Sequence, residues 1–210
     1  MRANLLLLLS LFIFVTPVRS FGEITGSAHD FSGLSFGHGI GEICKVCHTP
    51  HNGRSTEAPL WRGRLGVYGT YTLYSSDTLD ASVNQPMMPS KACLTCHDGA
   101  IALAPVTSCI DCHKNSGHTP GDRNLSNDHP VSFTYDSTLA QSDGALQDPD
   151  TTPVSGWGGK TIRQGMLYKD RMECPTCHDV HATKGDSATA DHLLLVDNKT
   201  DKLCLTCHIK

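Results

Sequence analysis

The sequence predicts a mostly irregular chain with short α-helices and little β structure, organised around bound groups in place of a large apolar core. Three observations carry this reading. The run Cys44-Lys45-Val46-Cys47-His48 is matched in pattern by Cys93-Leu94-Thr95-Cys96-His97, Cys109-Ile110-Asp111-Cys112-His113, Cys174-Pro175-Thr176-Cys177-His178 and Cys204-Leu205-Thr206-Cys207-His208. These five copies use all ten cysteines. Hydrophobic residues make up only 39% of the 210, glycine is abundant at 19, and amphipathic runs are short, so side chains alone offer a thin core.

Cys-x-x-Cys-His is the attachment signature of c-type haem. Its two thiols bond to the porphyrin edge, and the adjacent His is placed under the iron as proximal ligand. The motif residues therefore divide by role. Cys44, Cys47, Cys93, Cys96, Cys109, Cys112, Cys174, Cys177, Cys204 and Cys207 attach five haems; His48, His97, His113, His178 and His208 ligate them. Two plainer readings compete. Paired cysteines can build zinc sites, which close with four ligands in a tetrahedron. Five pairs do not divide into four-Cys sites, and zinc leaves the repeated His unexplained. A disulfide scaffold suits an exported chain but also gives no reason for a His after every second Cys.

The remaining chain is read against that framework. Arg2 followed by the apolar run Leu5–Val15 and by Val18-Arg19-Ser20 has the form of a secretory signal peptide, too short to span a bilayer. Residues 1–20 are expected to be removed, leaving 21–210 as a single pentahaem unit. No later run has the length for a membrane span. Removing the signal takes Arg2 and Arg19 and no acidic residue, leaving 15 basic against 21 acidic residues and a net charge of −6. An acidic chain argues against nucleic acid as a partner. Export agrees with haem attachment, which takes place outside the bacterial cytoplasm. The expected location is periplasmic or at the outer surface.

Five macrocycles are large apolar plates that replace much side-chain packing, so the fold is expected to wrap them with loops. Short helices are expected at the motifs, as around Cys93–Leu103 and Lys202–His208. Val67, Tyr68, Thr70, Tyr71 and Leu73 favour strands and suggest a hairpin in Arg64–Tyr74. The first cysteines fall at 44, 93, 109, 174 and 204, so the second and third haems must be neighbours. Ser137–Gly159, rich in Asp, Gly, Ser and Pro, reads as an irregular surface excursion.

Seven histidines lie outside the motif positions: His29, His38, His51, His118, His129, His181 and His192. A spare His is ordinarily a surface or hydrogen-bonding residue, but haem iron readily takes a second imidazole. His51 and His181 each stand three residues beyond a proximal His. From there neither can reach the far face of the same iron, so each is expected to ligate a neighbouring haem. Methionine is the rival sixth ligand and raises the potential; Met87, Met88, Met166 and Met172 are read as packing residues.

Several runs carry a resemblance: His29-Asp30-Phe31-Ser32, CKVCHTPHN at Cys44–Asn52, Ala58-Pro59-Leu60-Trp61, CLTCHDGAI at Cys93–Ile101, Asn127-Asp128-His129-Pro130-Val131, Cys174–His181 and Cys204–His208. In this order they resemble the multihaem c-type cytochromes with doubled CXXCH motifs, a family of metal-reducing and related anaerobic bacteria. The resemblance covers nearly all of 21–210. It implies His29, His51, His129 and His181 as distal ligands. The copy Cys109–His113 departs from a tetrahaem plan as an added motif, and His118 is favoured for its haem, with His38 and His192 behind it. Some members polymerise into outer-surface filaments in which a His of one subunit ligates a haem of the next. His29, near the mature N-terminus, is the candidate for such a donor.

Ligand arithmetic then separates two function classes. With every iron held by two His, the chain moves electrons and catalyses nothing. Its partners are then other cytochromes, a terminal reductase or a mineral acceptor, with a homopolymer as a further form. The alternative is a periplasmic pentahaem donor to, or subunit of, a nitrite or related oxyanion reductase. Catalytic subunits of that kind mark the active haem with a Lys in place of the motif His, and all five motifs here end in His.

Overall fold

The computed structural model describes residues 24–25, 27, 29–31, 43–49, 51–53, 60–61, 69–97, 123–181, 183 and 193–210. The signal segment, the third motif Cys109–His113, His38, His118, His192 and residues 64–68 of the expected hairpin lie outside these. The described chain is mostly irregular. A 3₁₀ turn at Ile43–Val46 is followed by α1 (Ser90–His97), β1 (Phe133–Thr134), α2 (Ser137–Asp143), α3 (Ile162–Gly165), β2 (Arg171–Met172), α4 (Cys174–Cys177) and α5 (Lys202–Cys207). The only sheet among the described residues is the two-stranded antiparallel β1–β2 ribbon, with Phe133 opposite Met172 and Thr134 opposite Arg171. Short helices and almost no β are what the sequence predicts. No helix among the described residues is long and apolar enough to cross a membrane.

The helices are short because local signals both start and stop them. Asp136 caps α2 by accepting the Leu139 N–H at 2.9 Å, and Gly144 ends it in the left-handed region at φ 73°, where glycine carries no Cβ penalty. Thr161 and Gln164 form a reciprocal capping box on α3, satisfying two backbone N–H groups that the first turn otherwise leaves unpaired. Three motif-bearing segments, the 3₁₀ turn, α4 and α5, stop at the motif itself, for reasons given below.

A conventional apolar core does exist, and it sits where the sequence suggested a surface excursion. Phe133, Tyr135, Ala140, Val154, Ile162, Met166, Met172, Val196 and Cys207 pack together. Val154 is 2% exposed and Ile162 is fully buried, so Ser137–Gly159 contributes to the interior and is no excursion. Its polar composition misleads because the polar residues serve the turns. Val154 N–H bonds Lys160 O at 2.8 Å and Ile162 N–H bonds Thr152 O at 3.0 Å, closing a small loop whose tip carries Gly156, Gly158 and Gly159 at positive φ. The few apolar residues left over point inward. Met166 and Met172 are packing residues here, as expected.

Tyr135 joins this core to the C-terminal motif. Its ring is 1% exposed, and its hydroxyl donates to Gln147 O at 2.6 Å, with Cys207 O at 3.4 Å. Gln147 N–H bonds Cys207 O at 2.8 Å, and Ile209 N–H bonds Ala145 O at 2.7 Å. The fifth motif is thus stitched to the core by backbone bonds.

Ile162→Ala is expected to lower the stability of the haem-loaded protein by about 2–5 kcal/mol, read by denaturant unfolding. An unchanged midpoint would show that haem contacts, and not this cluster, limit stability.

Candidate haem-binding sites

Each described motif places its three functional side chains with one turn of helix. Positions i, i+3 and i+4 share a helical face, so Cys-x-x-Cys-His presents both thiols and the imidazole together. Three motifs close that turn with the same hydrogen bond. His48 N–H bonds Cys44 O at 2.9 Å, His178 N–H bonds Cys174 O at 3.1 Å, and His208 N–H bonds Cys204 O at 2.9 Å. The second motif lies within α1, which ends at His97. At His178 and His208 the backbone turns extended, with ψ 142° and 141°.

Three of these proximal histidines are then clamped by an antiparallel bridge: His48 with Trp61, His178 with Leu194, and His208 with Leu146. At the first, Thr49 N–H bonds Leu60 O at 2.7 Å. Gly53 is obligatory there, since a Cβ would stand 2.4 Å from Leu60 Cα. At the fourth motif, Leu195 N–H bonds Cys177 O at 2.7 Å and Asp179 N–H bonds Leu193 O at 2.9 Å. Nothing in the sequence signalled Trp61, Leu146 or Leu194 as clamps, because single bridges have no residue pattern.

The structure brings histidines together in facing pairs. His48 and His181 have ring centroids 6.2 Å apart, His129 and His208 6.3 Å, and His29 and His97 5.8 Å. Each pair combines a motif His with one outside the motif positions. Metal–imidazole bonds of about 2.0–2.1 Å, with the nitrogen about 1.1 Å from the ring centre, put two trans imidazoles about 6.3 Å apart, centre to centre. The observed pairs lie close to this spacing, at interplanar angles of 20°, 73° and 49° respectively. In each pair the motif His and the second His would be placed to hold a haem attached by the adjoining Cys pair, an arrangement unlike the four clustered ligands of a zinc site.

The states of the imidazoles agree. His129 Nδ1 lies 3.0 Å from Pro130 O. A carbonyl only accepts, so Nδ1 carries the proton and Nε2 keeps the lone pair a metal needs. Burial lowers the pKa of His129, and His208 adds to this against the opposing Pro130 bond. Burial likewise lowers that of His29, with His178 and His181 contributing. Neutral rings are the ligating form. His29 Nδ1 and Trp61 Nε1 are shut off from solvent without a hydrogen-bond partner, a costly condition that a further bound group resolves. His181, half exposed, is held by Asp179, which accepts N–H groups from His181 at 3.1 Å and Thr183 at 2.7 Å. His51 is exposed.

The thiols show which motifs adjoin. Cys47 is pushed up to about 11 by burial and by the neighbouring Cys96 and Cys44. The thiols of Cys93 and Cys174 adjoin, and this pairing raises the first and lowers the second. Burial, with Cys174 and Cys204, pushes Cys177 up to about 11, and Cys207 rises to about 12 through burial and Cys177. Among the described motifs the neighbours therefore run first, second, fourth, fifth. All eight described cysteines are free of disulfides.

Gly53→Ala is expected to push the 49–53 loop away from residue 60, cost about 1–3 kcal/mol and alter the Soret circular dichroism. Unchanged signals would show that the clamp on His48 tolerates the methyl.

Comparison with known proteins agrees with the geometry over part of the chain. A family model for the doubled CXXCH motif matches residues 168–210, which hold the fourth and fifth motifs. No curated protein and no solved structure matches the chain. The match, with the facing imidazoles, supports covalently bound c-type haem and electron transfer of the multihaem cytochrome kind, a class that is typically extracytoplasmic.

Proposed function

We propose that this chain is an exported electron-transfer protein that holds five c-type haems, each between a motif His and a second His, and serves extracytoplasmic respiration. The observation that carries the reading is the set of three facing pairs, His48 with His181, His97 with His29 and His208 with His129. An iron held from both sides supplies a one-electron couple with little change of ligand geometry and no open position for a substrate. The chain's own residues do the rest: cysteines attach, paired imidazoles fix the ring planes, and adjoining motifs keep neighbours close.

Beyond these pairs the sequence offers His51 as a distal ligand to a neighbouring haem, and His118 for the third motif, with His38 and His192 behind it. His51 would have to swing inward from its exposed position. His29 faces His97 of its own chain, so a homopolymer that used it as donor would require this pair to open. The partners proposed are other redox proteins, or a terminal reductase or mineral acceptor at the outer surface.

The first experiment is the visible spectrum of the dithionite-reduced protein with and without carbon monoxide, alongside the intact mass. Five added haems and no spectral change are expected. A carbon monoxide difference spectrum would reveal an open iron and favour an oxyanion-reducing enzyme. His181→Met is expected to keep all covalent haem while raising one potential, lowering its ferric-to-ferrous ratio at a given solution potential by at least tenfold, about 59 mV for one electron. An unaltered redox titration would remove His181 from the ligands.

A further inference from the structure

Two charged residues that belong to no motif meet at the junction of two motifs. The side chain of Glu173 is fully buried. One carboxylate oxygen accepts from Arg171 Nε at 2.8 Å. The other accepts from Ser90 Oγ at 2.5 Å and Ser132 Oγ at 3.0 Å. Ser90 opens α1, which carries the second motif, and its oxygen in turn accepts the Cys174 N–H at 2.9 Å. Arg171 also donates to Met88 O at 2.8 Å. The carboxylate therefore ties the start of α1, which carries Cys93, to the start of α4 at Cys174.

A buried ion pair is a poor way to stabilise a fold, since removing two charges from water offsets most of their attraction. Ser90, Ser132 and Thr176 are also essentially inaccessible, so this polar knot occupies space that apolar side chains could fill. What it offers instead is a fixed pair of opposite charges, poorly screened by water, beside two attachment motifs. A negative charge favours the ferric state of a nearby couple and a positive charge the ferrous state. Roughly 10 Å away, at an effective dielectric of about 20, a unit charge shifts such an equilibrium about tenfold.

We propose that Glu173 and Arg171 are positioning residues that set the relative placement and the potentials of the two haems attached at Cys93/Cys96 and Cys174/Cys177; this rests on the electron-transfer reading above. Arg171 offsets the buried carboxylate, and the two serines hold it in register with α1 and α4. Neither residue ligates iron, so their influence is read in potential and not in haem content.

The test is a redox titration of the haem-loaded protein, with couples resolved by film voltammetry, for Glu173→Gln, Arg171→Gln and the double variant. Glu173→Gln keeps an acceptor for the serines but leaves Arg171 uncompensated. The potentials of two couples are expected to rise, each with an about tenfold fall in the ferric-to-ferrous ratio at a given solution potential, about 59 mV. Arg171→Gln is expected to lower the same two couples, and the double variant to return them towards the wild-type values. A purely structural role predicts no such reversal of sign. Shifts in one direction for both single variants, or none, overturn the proposal. If one single variant does not fold, the other and the double variant still give the sign. Haem couples present in the wild type but insensitive to these changes reject the proposal alone, whereas a wild type without redox-active haem rejects the electron-transfer reading beneath it.

Discussion

The arrangement depends on one constraint: two thiols and an imidazole must reach the same small area from five consecutive residues. A single helical turn meets it, closed by the bond from the His N–H to the carbonyl of the first Cys. That bond alone contributes only about 0.5–1.5 kcal/mol, and one isolated turn is not stable in water. The turn therefore needs support from elsewhere, which the bridges to Trp61, Leu194 and Leu146 supply directly after the His. The ligand ends up held from both directions along the backbone.

Cohesion comes in two forms. Residues 133–172, together with Val196 and Cys207, make a modest side-chain core of the ordinary kind. Around it, imidazoles face each other at distances that would admit a haem iron between them. The β1–β2 ribbon links the two regimes. It runs from the core, through Met172, to Glu173 and the fourth motif. The polar contacts of Glu173 tie that motif to α1 across more than 80 residues of sequence.

The motifs and the scarcity of regular structure were legible because covalent spacing is written residue by residue. His181 could be picked out by its position three residues beyond His178, and its pairing with His48 agrees with service to a neighbouring haem. The same rule also selected His51, which is exposed; equal spacing does not give equal surroundings, since Asp179 organises the turn at His181 and residue 49 is a threonine. The buried core at Val154 and Ile162 was hidden because its polar neighbours outnumber it. Glu173 was invisible for another reason. A carboxylate next to a cysteine looks like any surface acid until Ser90 and Ser132, far away in sequence, close over it.

The bridges that clamp the proximal histidines come from unrelated distances along the chain. Trp61 lies thirteen residues after His48, Leu194 sixteen after His178, and Leu146 sixty-two before His208. Each bridge fixes the two ends of its interval, and loop closure grows only slowly more costly as a loop lengthens. An insertion in a surface loop between two such ends would leave the clamped histidine where it is. A lineage of such chains can thus diverge widely in length and intervening sequence while its cofactor lattice stays superimposable, which leaves overall sequence similarity a poor gauge of kinship.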